Sequence, residues 1–242
     1  MMRLLPFLLI PCVLFANTDR VIFHHIPKTG GITTRSVLNS NFSKEETLPE
    51  FYQFQIEGRP ISELFQYKFI RGHFPVCRLK EVPGKRVTFL RGPIKRVLSA
   101  HRYYNQHFKK SPDNEISREF ICSPEDPLET MRNHQCKFLS SLDMYDPNIS
   151  DKEHLESAKY NLEHNFFFVG ITEDLDNALP ILCRLLKLAP PPNVPKCNRT
   201  RKPKEGYPEE IIRGIRERNW ADIQLYSFAK QLYEKKYKAA AD

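Results

Sequence analysis

The feature that most constrains this chain is the run His25-Ile26-Pro27-Lys28-Thr29-Gly30-Gly31-Ile32-Thr33-Thr34, which overlaps the end of the apolar stretch Val21–His25. Only 9 of the 242 residues are glycine, so two side by side mark a place where the backbone turns tightly or approaches a ligand closely. An apolar strand, a glycine turn and then helix-compatible residues to Leu38 form an order that presents backbone N–H groups and the positive end of a helix dipole to an anion. Lys28 adds a charge, and Thr29, Thr33 and Thr34 add hydroxyls. The Lys precedes the glycines and no Gly-Lys-Ser/Thr exists. The loop therefore differs from the nucleoside-triphosphatase loop, whose Ser/Thr hydroxyl ligates magnesium.

Further strands and helices alternate along the chain. Tyr67–Ile70 reads as a second strand, ending in Arg71-Gly72-His73, and Lys85–Leu90 as a third, ending in Arg91-Gly92-Pro93. The spacing predicts a helix over Ile94–His107, others near Leu128–Ser141 and Lys152–His164, a buried strand at Phe166–Gly170 and an amphipathic helix over Asp174–Leu188. Pro190-Pro191-Pro192 stops that helix. A basic loop over Lys196–Lys204 precedes one long final helix, Pro208–Lys236. Strands separated by helices imply an α/β fold: a single domain with a central parallel sheet flanked by helices. A chain of this length buries roughly 70% of its unfolded surface, so neither disulfides nor a metal is required for folding.

The first sixteen residues carry one charge, Arg3, ahead of the apolar run Leu4–Ala16. That run is too short to span a bilayer as a helix but suits the hydrophobic region of a signal sequence. Residues 1–16 are accordingly expected to be a targeting segment, and 17–242 the folded domain. Beyond the leader, Cys77, Cys122, Cys136, Cys183 and Cys197 show no metal-binding spacing. Cys122 with Cys136, and Cys183 with Cys197, could each close a short loop in an oxidising compartment; the sequence leaves the pairing open. Acceptor sites for N-glycosylation at Asn41, Asn148 and Asn198 add mild support for a secretory route.

A net charge of +8 points to anionic partners. A second basic constellation, Arg91-Gly92-Pro93-Ile94-Lys95-Arg96-Val97-Leu98-Ser99, starts at the end of the third strand. With Ser99 two helical turns into the following helix, Arg91 and Ser99 can contact one phosphate if that helix folds back over the strand end.

These residues resemble the carbohydrate sulfotransferases, in particular the family that includes the heparan sulfate 2-O- and 6-O-sulfotransferases. His25–Thr34 is similar to the family's 5′-phosphosulfate loop, and Arg91–Ser99 to its 3′-phosphate motif, Arg-x-Pro-x-x-Arg-x-x-Ser. Weaker similarities run through Arg71-Gly72-His73, Asn133–Ser140, Phe168–Glu173 and the Asn198-Arg199-Thr200 loop, covering about residues 21–236. Gly92 stands where the family usually has Asp, which is expected to loosen the turn that aims Arg91. Ile32 stands where the family often has Thr; it loses a hydroxyl and keeps the backbone donor.

The resemblance implies transfer of a sulfuryl group from 3′-phosphoadenosine-5′-phosphosulfate to a hydroxyl of a glycosaminoglycan-like carbohydrate, without a metal. It assigns the nucleotide to Lys28, Thr29, Gly30, Gly31, Ile32, Thr33, Thr34, Arg91 and Ser99, with Arg201 and Lys202 on the loop that closes over it. Lys28 would stabilise charge on the leaving group, and His73 would take the acceptor's proton. Glu63 and His101 stand in reserve as bases, His24 and His25 read as structural, and Tyr103, Tyr104 and Phe108 are candidates for the acceptor cleft. The expected partner is an acidic or neutral polysaccharide rather than nucleic acid, with membrane association through the leader and a Golgi-type lumenal or, alternatively, cytoplasmic location. Two other function classes stay open at this point: a phosphate-loop small-molecule kinase, which lacks its Gly-Lys-Ser/Thr here, and a non-catalytic binder of acidic glycans.

Overall fold

The computed structural model describes residues 19–108, 132–190 and 207–238. Four parallel strands, β1 (Val21–His24), β2 (Phe69–Gly72), β3 (Lys85–Leu90) and β4 (Phe166–Ile171), form one sheet in the order β2-β1-β3-β4. The helices are α1 (Gly31–Asn39), α2 (Val76–Leu79), α3 (Pro93–Phe108), α4 (His134–Leu139), α5 (Asp151–His164), α6 (Leu175–Leu186), α7 (Glu209–Arg218) and α8 (Trp220–Tyr233). This is the expected α/β domain.

Alternation along the strands sends side chains to two cores. Val21, Phe23 and Phe69 join the larger one, which contains buried residues of α4, α5, α6 and α8, while Ile22 and Ile70 pack with Leu48, Leu64, Phe74 and Leu79 on the opposite face. On that second face Arg86 of β3 is buried, and its Nη2 donates to the carbonyls of Leu79, Lys80 and Val82 at 2.7–3.0 Å. These bonds satisfy carbonyls that the end of α2 leaves without helical partners.

Strand order decides where the ligand-binding loops lie. From β1 the chain runs through α1 to β2 on one side, then returns to β3 on the other side of β1. The loops after β1 and β3 therefore diverge at a topological switch point, where open α/β sheets form their crevice.

Three sequence expectations need correction. The second strand begins at Phe69, because Tyr67 still closes the 3-10 turn Ile61–Gln66 through its N–H to Leu64 O. The helix expected near Leu128–Ser141 is described only as α4, with residues 128–131 outside the described stretches. The long final helix is two helices broken at Asn219. Asn133, in the left-handed region at φ 46°, accepts the Ala221 and Asp222 N–H groups on its Oδ1, both at 3.1 Å; Asn219 Oδ1 accepts Asn133 N–H at 3.0 Å. Side-chain capping between two distant asparagines thus starts a new helix where periodicity alone would continue the old one.

Residues 1–16 lie outside the described residues, as do Cys122, Cys197 and Asn198. Among the described residues Cys77, Cys136 and Cys183 form no disulfide with one another, and the expected pairings with Cys122 and Cys197 fall outside those residues. Asn41 has both ends of its amide turned to the backbone of Ala189, whereas Asn148 is exposed. Among the described residues no helix is long and apolar enough to cross a membrane.

Candidate active site

The loop after β1 holds its shape through backbone conformations that few residues adopt. Gly30 lies at φ 79° and Lys28 at φ 71°. A Cβ on Gly31 would overlap the ring of His25, so glycine is required there by close packing. α1 starts at Gly31 with no side-chain cap and no acidic residue in its first turn, leaving the positive end of its dipole without compensation from its own sequence. Thr29 and Thr34 differ from the expectation that their hydroxyls face a ligand. Thr29 Oγ1 donates to Ile26 O at 2.9 Å and Thr34 Oγ1 to Gly30 O at 3.4 Å, and both residues are buried. They shape the turn. Thr33 is buried, and Ile32 is exposed beside the loop.

Arg91 meets this loop directly: its Nη1 donates to the Lys28 carbonyl at 3.0 Å. Two further segments brace the pair. The Gln135 side chain spans both polar groups of the Arg91 backbone, accepting its N–H and donating to its C=O at 3.0 Å each. Glu173 Oε1 accepts Gly92 N–H at 3.0 Å, and Thr172 Oγ1 donates to Thr29 O at 2.8 Å. The turn carrying Gly92 is consequently not loose; Glu173 holds it from outside. A Cβ at Gly92 would come within 3.2 Å of that same carboxylate oxygen.

Ser99 is buried on α3, and Arg102 and Tyr103 follow it by three and four residues, which places them on the same helix face. Lys28 Nζ stands 4.1 Å from the Tyr103 ring centroid. Burial, with Arg91 and Arg102 nearby, lowers the Lys28 ammonium to about 8. Arg102 Nε is itself buried with no hydrogen-bond partner among the described residues. Lys28, Arg91 and Arg102 together outnumber the one carboxylate, Glu173, that acts on Arg91, and such a surplus of cations is the electrostatic complement of an anion.

His73 stands immediately beyond β2. Its Nδ1 lies 2.8 Å from His25 O; because a carbonyl only accepts, Nδ1 carries the proton and Nε2 of the neutral ring keeps its lone pair. Burial is the main cause that lowers its pKa to about 4, with Arg35 and Lys28 acting in the same direction and the bond to His25 opposing them. The His25 and His73 rings stack at 4.5 Å. His25 is driven well below the usual imidazole range, by burial first and then by His73, Arg35 and Lys28.

The reserve bases do not join this group. Glu63 is paired with Arg59 at 3.1 Å, and His101 is buried with Nδ1 3.4 Å from Tyr207 Oη. Arg201 and Lys202, like the side chains of Tyr104 and Phe108, lie outside the described residues. Sequence reading missed Arg102 and Arg35. The signal for Arg102 was its three-residue spacing from Ser99; for Arg35, its four-residue spacing from Gly31 along α1.

The arrangement offers an anion cradle at the ends of β1 and β3, with an imidazole presented as a base beside it. Its residues could hold anionic groups at two places, the start of α1 and the neighbourhood of Arg91 and Arg102.

Two curated relatives match across 90% of this chain at 26% identity: heparan-sulfate 6-O-sulfotransferase 2 of Homo sapiens and that of Mus musculus. The match spans 45% of the length of each. The profile described as the sulfotransferase family matches residues 12–229, which includes β1 through most of α8, and the chain belongs to that family.

Proposed function

We propose that this chain transfers a sulfuryl group from 3′-phosphoadenosine-5′-phosphosulfate to a hydroxyl of a glycosaminoglycan-like polysaccharide. One observation carries the reading: the Arg91 guanidinium donates to the Lys28 carbonyl in the loop that leads into the uncapped start of α1, and His73 is bound to the carbonyl of His25 at the head of that loop. The heparan-sulfate relatives support the choice of acceptor class.

In this reading the 5′-phosphosulfate lies against the backbone of residues 29–34, and Arg91 with Ser99 takes the 3′-phosphate. Arg201 and Lys202 are proposed to close over the nucleotide. The acceptor oxygen forms a bond to sulfur as the bond from sulfur to the bridging phosphate oxygen breaks. That bond's electron pair remains on the phosphate oxygen, where Lys28 and the loop N–H groups stabilise it. The acceptor proton passes to Nε2 of His73, and the products are a sulfate ester and adenosine 3′,5′-bisphosphate. As in loose phosphoryl transfer, the protein's contribution is placement and charge stabilisation.

A donor-bearing secretory lumen is the proposed location, resting on the leader-like residues 1–16 and on the relatives' acceptor. The test is incubation with isotopically labelled donor and de-O-sulfated heparin. Label appearing in the polysaccharide, and lost in Lys28→Ala, is the expected result. Glycan binding with neither nucleotide binding nor transfer would replace this reading with that of a glycan-binding protein.

A further inference from the structure

The rings around His73 continue past it to the surface. Phe23 and His25 stack at 5.5 Å, His25 and His73 at 4.5 Å, His73 and Tyr52 at 5.4 Å, and Tyr52 and Phe54 at 5.6 Å, with interplanar angles between 12° and 29°. The series begins in the core at Phe23 and ends in solvent, where Tyr52 is 47% and Phe54 66% exposed. Exposed aromatics in line with a buried imidazole are not explained by core packing.

The outer end is held in place. Tyr52 bridges His73 in a parallel pairing, and His73 N–H donates to Phe51 O at 2.7 Å. A Cβ on Gly72 would overlap that Phe51 carbonyl, so the glycine of Arg71-Gly72-His73 is what admits the segment. Gln55 Oε1 accepts the N–H groups of both Phe51 and Tyr52, at 2.9 and 2.8 Å. The rings are therefore positioned before any ligand arrives.

Charge defines the occupant. The guanidinium groups of Arg35 and Arg71 stand 5.0 and 5.5 Å from the Phe51 ring centroid, and Phe51 meets His73 edge-on at 4.8 Å. Arg71 Nη1 donates to Glu50 O at 3.3 Å, while its Nε is buried with no partner among the described residues. A pyranose presents apolar C–H faces that suit an aromatic surface, and the carboxylate or sulfate of an acidic sugar suits a pair of guanidiniums.

We infer that Tyr52 and Phe54 form the acceptor platform, where a sugar ring of an acidic glycan lies along their exposed rim with its anionic substituent toward Arg71 and Arg35 and a hydroxyl at Nε2 of His73. The inference rests on the sulfotransferase reading and deepens it. Phe54→Ala and Tyr52→Ala are the test variants, the first at a side chain exposed enough to leave folding intact. Calorimetric titration with adenosine 3′,5′-bisphosphate alone should give the same Kd in both variants as in the parent protein. Titration of the nucleotide-loaded protein with de-O-sulfated heparin should show affinity lower by roughly fivefold in Phe54→Ala and tenfold in Tyr52→Ala, with KM for that glycan rising in parallel and kcat changing little. Arg71→Gln should flatten the salt dependence of glycan binding. Glycan affinity unchanged in both aromatic variants, or absent from the parent protein, overturns the platform. Failure of the nucleotide titration in the parent protein strikes instead at the sulfotransferase reading.

Discussion

His73 and His25 are joined twice: Nδ1 of His73 lies 2.8 Å from the His25 carbonyl, and the two rings stack at 4.5 Å. The carbonyl fixes the tautomer, and the stacked ring limits rotation, so Nε2 is presented as an acceptor in one orientation. The same burial and nearby cations hold the free ring's pKa to about 4. In the proposed base role the ring acts in its neutral form, so activity is expected above that value and is lost as pH falls through it. The acid limb of kcat/KM for the donor, which reports the free enzyme, is expected near pH 4. Bound donor brings negative charge that favours the imidazolium, so the acid limb of kcat should lie at higher pH. His73→Ala should lower kcat by about 10²–10⁴-fold while nucleotide affinity is retained. Near-normal turnover in that variant removes His73 from the role.

Lys28, the proposed stabiliser of the leaving group, is expected to give the opposite limb. Its ammonium, lowered to about 8 by burial and by Arg91 and Arg102, loses its proton as pH rises through that value. Affinity for adenosine 3′,5′-bisphosphate should therefore fall above about pH 8, and bound nucleotide should move the transition upward. Lys28→Ala is expected to reduce kcat by roughly 10²–10³-fold. A pH titration of nucleotide affinity that stays flat between 7 and 9 would contradict the assignment.

Much of this site was legible because its central parts are local. The glycine pair with Lys28 and the strand-ending Arg91 each sit in one short run whose chemistry is readable, and β3 has the boundaries that its apolar pattern indicates. The bracing between the runs was not legible. Gln135 reaches Arg91 across 44 residues and Glu173 reaches Gly92 across 81, and neither spacing leaves a periodic trace. The break at Asn219 escaped for the same reason, since a cap donated by Asn133 overrides continuous helical periodicity. The burial of the Thr29 hydroxyl could not be read either, because threonine is equally suited to facing a ligand and to closing a turn.

Gln135 gives the bracing a direct test. It is buried, and its amide satisfies the Arg91 N–H and C=O together. Gln135→Ala leaves both groups without that partner and should lower stability by about 1–3 kcal/mol. Because Arg91 is the proposed phosphate contact, nucleotide affinity should also fall, by roughly tenfold, with kcat at saturating donor less affected. Denaturant unfolding and nucleotide titration separate the two effects. A stability loss with unchanged affinity would make Gln135 a purely structural brace.

Behind Gln135 stands Asp222, whose buried carboxylate accepts the N–H groups of Gln135 and Cys136 at 3.1 and 2.8 Å. Burial raises its pKa, while Arg96 and those two donors favour the charged form. Asp222→Ala removes two acceptors and a countercharge of buried Arg96 together, a combination expected to destabilise by about 3–5 kcal/mol. For a chain of this size that lowers Tm by roughly 10 °C. Asp222→Asn keeps one acceptor oxygen and should lose less, which separates hydrogen bonding from charge. Adenosine 3′,5′-bisphosphate at a hundredfold excess over its Kd should restore about 2.7 kcal/mol in either variant, the linkage expected of the proposed ligand of the folded chain. Rescue of that size would locate the defect in stability, whereas a variant that melts normally and still fails to bind nucleotide would place Asp222 in the binding geometry itself.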